Sequence, residues 1–84
     1  MQKTIQYKTT GVCSSAIDLE ITDGIITGAR FHGGCPGNTA GLARMVIGCR
    51  PEDVIARLKG IRCGLKSTSC PDQMALALEQ MLKD

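Results

Sequence analysis

Apolar and polar residues alternate through the N-terminal part of the chain, and from residue 39 onward apolar positions recur at helical spacing instead. Lys3 to Thr9 alternates with Ile5 and Tyr7 on one face and predicts a first strand. Ala16 to Ile21 alternates more strongly: Ile17, Leu19 and Ile21 face one way, Asp18 and Glu20 the other. Ile25 to His32 predicts a third strand, with Ile25, Ala29 and Phe31 on one side. Asp23-Gly24 marks a hairpin between the second and third strands. A two-residue loop would oppose Thr22 to Ile25 and set the apolar faces against each other. A three-residue loop, Thr22-Asp23-Gly24 with Gly24 left-handed, pairs Ile21 with Ile25 and Ile17 with Ala29. A one-residue slip exchanges the two faces of a strand, so the three-residue loop is expected.

Three helices follow. The glycine loop Gly33-Gly34-Cys35-Pro36-Gly37 leads to Asn38, a natural N-cap. Leu42, Met45 and Val46 recur at helical spacing until Gly48 stops the run. Pro51 suits a first helical position, and Glu52 and Asp53 complement the helix dipole. Val54, Ile55 and Leu58 form the inner face of this second helix, and Gly60 ends it. A last helix starts around Cys70-Pro71, and Met74, Ala77, Leu78, Met81 and Leu82 give it one apolar stripe. Strands followed by helices predict a single α+β domain over residues 1–84, a three-stranded antiparallel sheet with three helices packed on one face.

Composition narrows the reading. A chain of 84 residues buries only about 60% of the surface its unfolded form exposes. With one Phe, one Tyr and no Trp, its core rests on aliphatic residues and methionine. Small domains of this kind gain stability from a metal, a partner or a disulfide. The net charge of +2 is scattered and comes without an aromatic stacking set, which argues against nucleic acid. No apolar run approaches the roughly 20 residues of a membrane span, and the polar, alternating Met1 to Thr9 does not read as a signal peptide. The expected setting is soluble and cytoplasmic.

Five cysteines are a high density for such a chain. In a reducing compartment they point to metal ligation or thiol chemistry rather than structural disulfides. Cys13 precedes the second strand, Cys35 lies in the glycine loop, Cys63 follows the second helix and Cys70 opens the last one. All four sit at element ends, where distant segments can converge. Cys35 and Cys70 also fall near helix N-termini, where free amides and the dipole favour an anionic thiolate. Spacing alone leaves the alternative that the cysteines are small buried hydrophobes, since there is no Cys-x-x-Cys. That structural reading suits Cys49 best. His32, the single histidine, reads as a surface residue at a strand end rather than as a ligand.

The segment Thr68-Ser69-Cys70-Pro71-Asp72-Gln73 resembles the signature of the TSCPD family, small domains named for that string. The resemblance extends through Gly11-Val12-Cys13-Ser14, Phe31-His32-Gly33-Gly34-Cys35-Pro36-Gly37-Asn38 and Leu58-Lys59-Gly60-Ile61-Arg62-Cys63-Gly64. TSCPD domains occur alone and attached to ribonucleotide reductases, notably cobalamin-dependent ones. The resemblance therefore implies a reductase or related enzyme as protein partner. This chain is too short to be a reductase itself, and no catalytic constellation is visible in it.

A more distant similarity, to the U-type iron–sulfur scaffold proteins, implies both a fold and a ligand set. Carried over, it makes Cys13, Cys35 and Cys70 the ligands of zinc or an iron–sulfur cluster. Cys63 is additional to that set and is the candidate fourth ligand, and four thiolates suit structural zinc or a stably held cluster. The scaffold proteins carry an Asp where this chain has Ser15 and a His where it has Ser69. Those differences argue against handing clusters on. The expectation is a metal-binding accessory domain; the alternatives are a thiol-redox protein exchanging a Cys63–Cys70 disulfide and a metal-free interaction domain.

Overall fold

Gln2–Lys8, Ser14–Thr22 and Ile25–Gly33 form strands β1, β2 and β3, and Pro36–Val46, Pro51–Leu58 and Cys70–Lys83 form helices α1, α2 and α3. This computed structural model describes residues 1–34 and 36–83; Cys35, one of the expected ligands, lies outside the described residues. The strands make one antiparallel sheet in the order β1-β2-β3, and the helices cover one of its faces, the α+β arrangement expected. Among the described residues no helix is long and apolar enough to cross a membrane.

The β2–β3 hairpin departs from the expected register. Thr22 pairs with Ile25, so the loop has two residues, Asp23 and Gly24, not three. Both are left-handed, with φ of 52° and 82°, the type I′ geometry whose twist matches that of the flanking strands. The face conflict that a two-residue loop creates is resolved within β3. Ile21 pairs with Ile26 but Glu20 with Gly28, which leaves Thr27 as an extra residue in a β-bulge. Beyond the bulge Leu19 pairs with Ala29 and Ile17 with Phe31. Ile26, rather than Ile25, therefore joins the core face with Ala29 and Phe31. Gly28 is the residue that permits this, since a Cβ there would stand 3.1 Å from the Glu20 Cβ.

Ile17, Leu19, Ile21 and Ile26 meet Met74, Ala77, Leu78 and Met81 of α3 in the core, with Val46 and Val54 closing it. Each large aliphatic side chain buried there contributes about 1.5–3 kcal/mol. Two expected core positions face solvent: Met45 is 79% exposed and Leu82 44%. On α1 the buried stripe runs through Ala43 and Val46, with Leu42 at its margin. Met45 lies one residue, about 100° of helix rotation, away from Val46. Asn38 is the third residue of α1 and not its cap, because the helix begins at Pro36.

Candidate functional site

Cys70 is the first residue of α3, and the sequence around it builds the helix start. The Ser69 hydroxyl accepts a hydrogen bond from the Asp72 N–H at 3.1 Å, an N-cap, and donates to the Ile61 carbonyl at 2.7 Å. The Asp72 carboxylate accepts the Gly60 N–H at 2.7 Å and the Thr68 hydroxyl. These two donors hold its carboxyl below the usual carboxylate range, the Thr68 hydroxyl contributing most. Gln73 donates through Nε2 to the Thr68 hydroxyl at 3.0 Å and accepts the Thr10 N–H at 3.1 Å. The string Thr68-Ser69-Cys70-Pro71-Asp72 is thus mainly a joint. The Ser69 hydroxyl and the Asp72 carboxylate tie the segment after α2 to the start of α3, the Gln73 amide ties the β1–β2 loop to it, and Cys70 is presented at their meeting point.

Cys63 sits in that following loop, where its N–H donates to the Thr68 carbonyl at 3.1 Å and its carbonyl accepts the Lys66 N–H at 3.0 Å. Its side chain is exposed, as is that of Cys13 in the β1–β2 loop. Cys13 lies against Gly34: a Cβ on Gly34, whose φ is +81°, would come within 3.4 Å of the Cys13 sulfur. The left-handed backbone, rather than the contact, is what favours glycine there. Ser14, next to Cys13, is buried and places its hydroxyl 3.3 Å from the Cys70 sulfur.

Cys13, Cys63 and Cys70 line one cleft of about 430 Å³, walled by the apolar side chains of Leu42 and Pro71. Three of the four expected ligands are therefore brought to one place, and the fourth, Cys35, is outside the described residues. Sharing a cleft is not yet coordination: among the described residues no three His, Cys, Asp or Glu side chains form a group that could hold a metal ion. Cys13, Cys49, Cys63 and Cys70 are all free thiols. Cys49 stands outside the cleft, half-buried, with its thiol directed to the Met45 carbonyl at 3.5 Å. His32 lies on the outer face of the sheet, its Nε2 2.7 Å from Asp18 Oδ2. That contact, with a further hydrogen bond from Gln6, lowers the Asp18 pKa.

The sequence reading gave no site role to Ser14, Thr68 or Gln73, and marked Ser69 only as a difference from the scaffold proteins. For Ser69 a signal existed, because Ser69-x-x-Asp72 has the spacing of a helix N-terminal cap. Ser14 and Gln73 act through contacts between distant segments, which spacing does not reveal, and Thr68 acts locally, through Asp72 and Gln73.

Fold and site together define a small α+β domain that gathers cysteines from three chain segments at one end of a sheet-and-helix sandwich. The chain belongs to the TSCPD domain family, whose family model matches residues 1–82. No curated protein and no solved structure matches it, so the expected likeness to U-type scaffold proteins has no solved structure behind it.

Proposed function

We propose that this chain is a thiolate metal-binding accessory domain, taking zinc or an iron–sulfur cluster through Cys13, Cys63 and Cys70, with Cys35 completing the set. The observation that carries the reading is that Cys13, Cys63 and Cys70, from three separate segments, line the same cleft. The donor set is soft sulfur, which suits zinc and iron–sulfur clusters and not oxygen-seeking cations. Cys70 stands at a helix N-terminus, where the backbone dipole favours an anionic ligand. The Ser14 hydroxyl beside its sulfur is the hydrogen-bonding support that metal-bound thiolates commonly have. When bound, zinc would cross-link the loops, and a cluster would add one-electron chemistry. The chain's own residues hold the β1–β2 loop and the Cys63 loop against α3. Family association makes ribonucleotide reductase, or a related enzyme of deoxynucleotide synthesis, the proposed partner.

Metal analysis and the visible spectrum of anaerobically purified protein test the proposal. Stoichiometric zinc without colour supports a structural site, and brown absorbance supports a cluster. Metal-free protein with every thiol titratable overturns it. Recovery of a reversible Cys63–Cys70 disulfide in its place would assign the cleft to thiol exchange.

A further inference from the structure

A second groove, of about 400 Å³, runs between the outer edge of β3 and helix α1. Ala29, Arg30 and Phe31 form its strand side, and Ala40, Ala43 and Arg44 its helix side. At one end the β3 edge already takes a backbone partner: the Ile26 N–H donates to the Cys49 carbonyl at 2.9 Å, and the Gly48 N–H donates to the Ile26 carbonyl at 2.8 Å. Ile26 thus directs its backbone groups away from β2. Past the bulge, strand alternation turns the N–H and C=O of Ala29 and Phe31 to that same edge. No loop of the described residues bonds to them there. The helix wall opposite carries the small side chains Ala40 and Ala43, which leave room for a neighbour's side chains.

From this arrangement we infer that the β3 edge is a docking site for an extended, acidic segment of a partner protein, which adds as a fourth strand beside α1. An added strand gains backbone hydrogen bonds from the edge, and its alternate side chains face the two sides of the sheet. Those facing α1 meet Ala40 and Ala43 and are apolar and of modest size. Those on the outer face meet Arg30 and are acidic. Arg44 offers a second cation at the groove's helix side.

Charge selects the occupant. Arg30 and Arg44 are exposed, and neither forms an ion pair with a carboxylate among the described residues. Among the described residues no acidic side chain lines the groove. Asp18, opposite Arg30 on β2, is bonded to His32 and Gln6 and feels the Arg30 charge without forming a close ion pair with it. The chain's own edge strands do not complement this surface. An antiparallel β3–β3 pairing of two copies would bring Arg30 towards its counterpart, and β1 carries two lysines and no carboxylate. Like charges opposed across strands destabilise a pair. A foreign acidic strand removes that conflict.

The test uses the full-length chain and a fluorescein-labelled octapeptide that alternates valine with glutamate. Fluorescence polarisation should show saturable binding, and amide spectra should show the largest shifts at Ala29 and Phe31. The same peptide N-methylated at every amide, which keeps its charge but has no N–H to donate on either edge, should bind at least about tenfold more weakly. So should the parent peptide with Arg30→Glu, an exposed substitution on the outer face whose folding is checked by circular dichroism. Cys70→Ser should bind as the parent does, which separates this inference from the metal reading. Failure of the octapeptide to bind, or equal binding of the N-methylated peptide, overturns the proposal. So does a dimer in sedimentation whose β3 amides are protected from exchange without peptide.

Discussion

The Ser14 hydroxyl lies 3.3 Å from the Cys70 sulfur, a contact between residues 56 positions apart that joins the first residue of β2 to the first residue of α3. It means that the environment of the signature cysteine is set by the opposite end of the chain. The contact also makes Cys70→Ser an informative substitution, because a serine hydroxyl can keep a hydrogen bond to Ser14 while removing the soft ligand. In the anaerobically purified protein this variant should lower both metal content and melting temperature. After chelation the variant and the parent should unfold within about 1 kcal/mol of each other, the scale of one hydrogen bond. Urea titrations with and without chelator make the comparison; unchanged metal content in the variant counts against Cys70 as a ligand.

Asp72 gives the fold a pH dependence whose sign follows from its depressed pKa. The ionised carboxylate accepts from Thr68 and Gly60 in the native state and has no such donors in the unfolded chain. Its contribution is therefore complete above the ordinary aspartate value of about 3.9 and is lost as pH falls through the lower native value. Asp72→Asn should destabilise the protein by about 1–3 kcal/mol at neutral pH. It should also flatten the acid limb of a plot of melting temperature against pH. An acid limb identical to the parent's would show that Asp72 does not contribute it.

Two single-residue deletions in β3 should have opposite outcomes. Thr27 is the extra residue of the bulge, so its removal leaves Glu20 paired with Gly28 and Ile17 with Phe31. The loss is confined to exposed hydroxyl contacts with Glu20 and Thr22, and the variant should stay folded. Deleting Ala29 instead shifts every later residue by one and moves Phe31 to the outer face and Arg30 to the core face. That variant should not give a dispersed amide spectrum. If both fold equally well, the pairing described above is not the one that stabilises the sheet.

Ser69→Ala should cost about 0.5–2 kcal/mol through the lost cap and also leave the Ile61 carbonyl without its hydroxyl donor. The loop bearing Cys63 is then held less firmly, and Arg62 and Lys66 within it are exposed. Limited trypsin digestion should cut there faster in the variant than in the parent. Equal cutting would indicate that Ser69 caps α3 without restraining the loop.

Local pattern determined the elements of this protein. Alternation at Ile17, Leu19 and Ile21, the Asp23-Gly24 turn, Pro51 and the stripe from Met74 to Met81 are short-range features, and each is found where residue spacing put it. Register was not legible to the same degree. A bulge trades one residue of spacing for a local distortion, and whether Thr27 is looped out depends on what lies across from it on β2. The candidate site divides in the same way. That Cys13, Cys63 and Cys70 stand at element ends could be read along the chain. Their meeting in one cleft depends on how α3 packs on the sheet, on Gly34 lying against Cys13, and on the hydrogen bonds of Ser69, Asp72 and Gln73 to other loops. Tertiary structure alone decides such contacts, because it brings together groups whose separation along the chain carries no information about their distance in space.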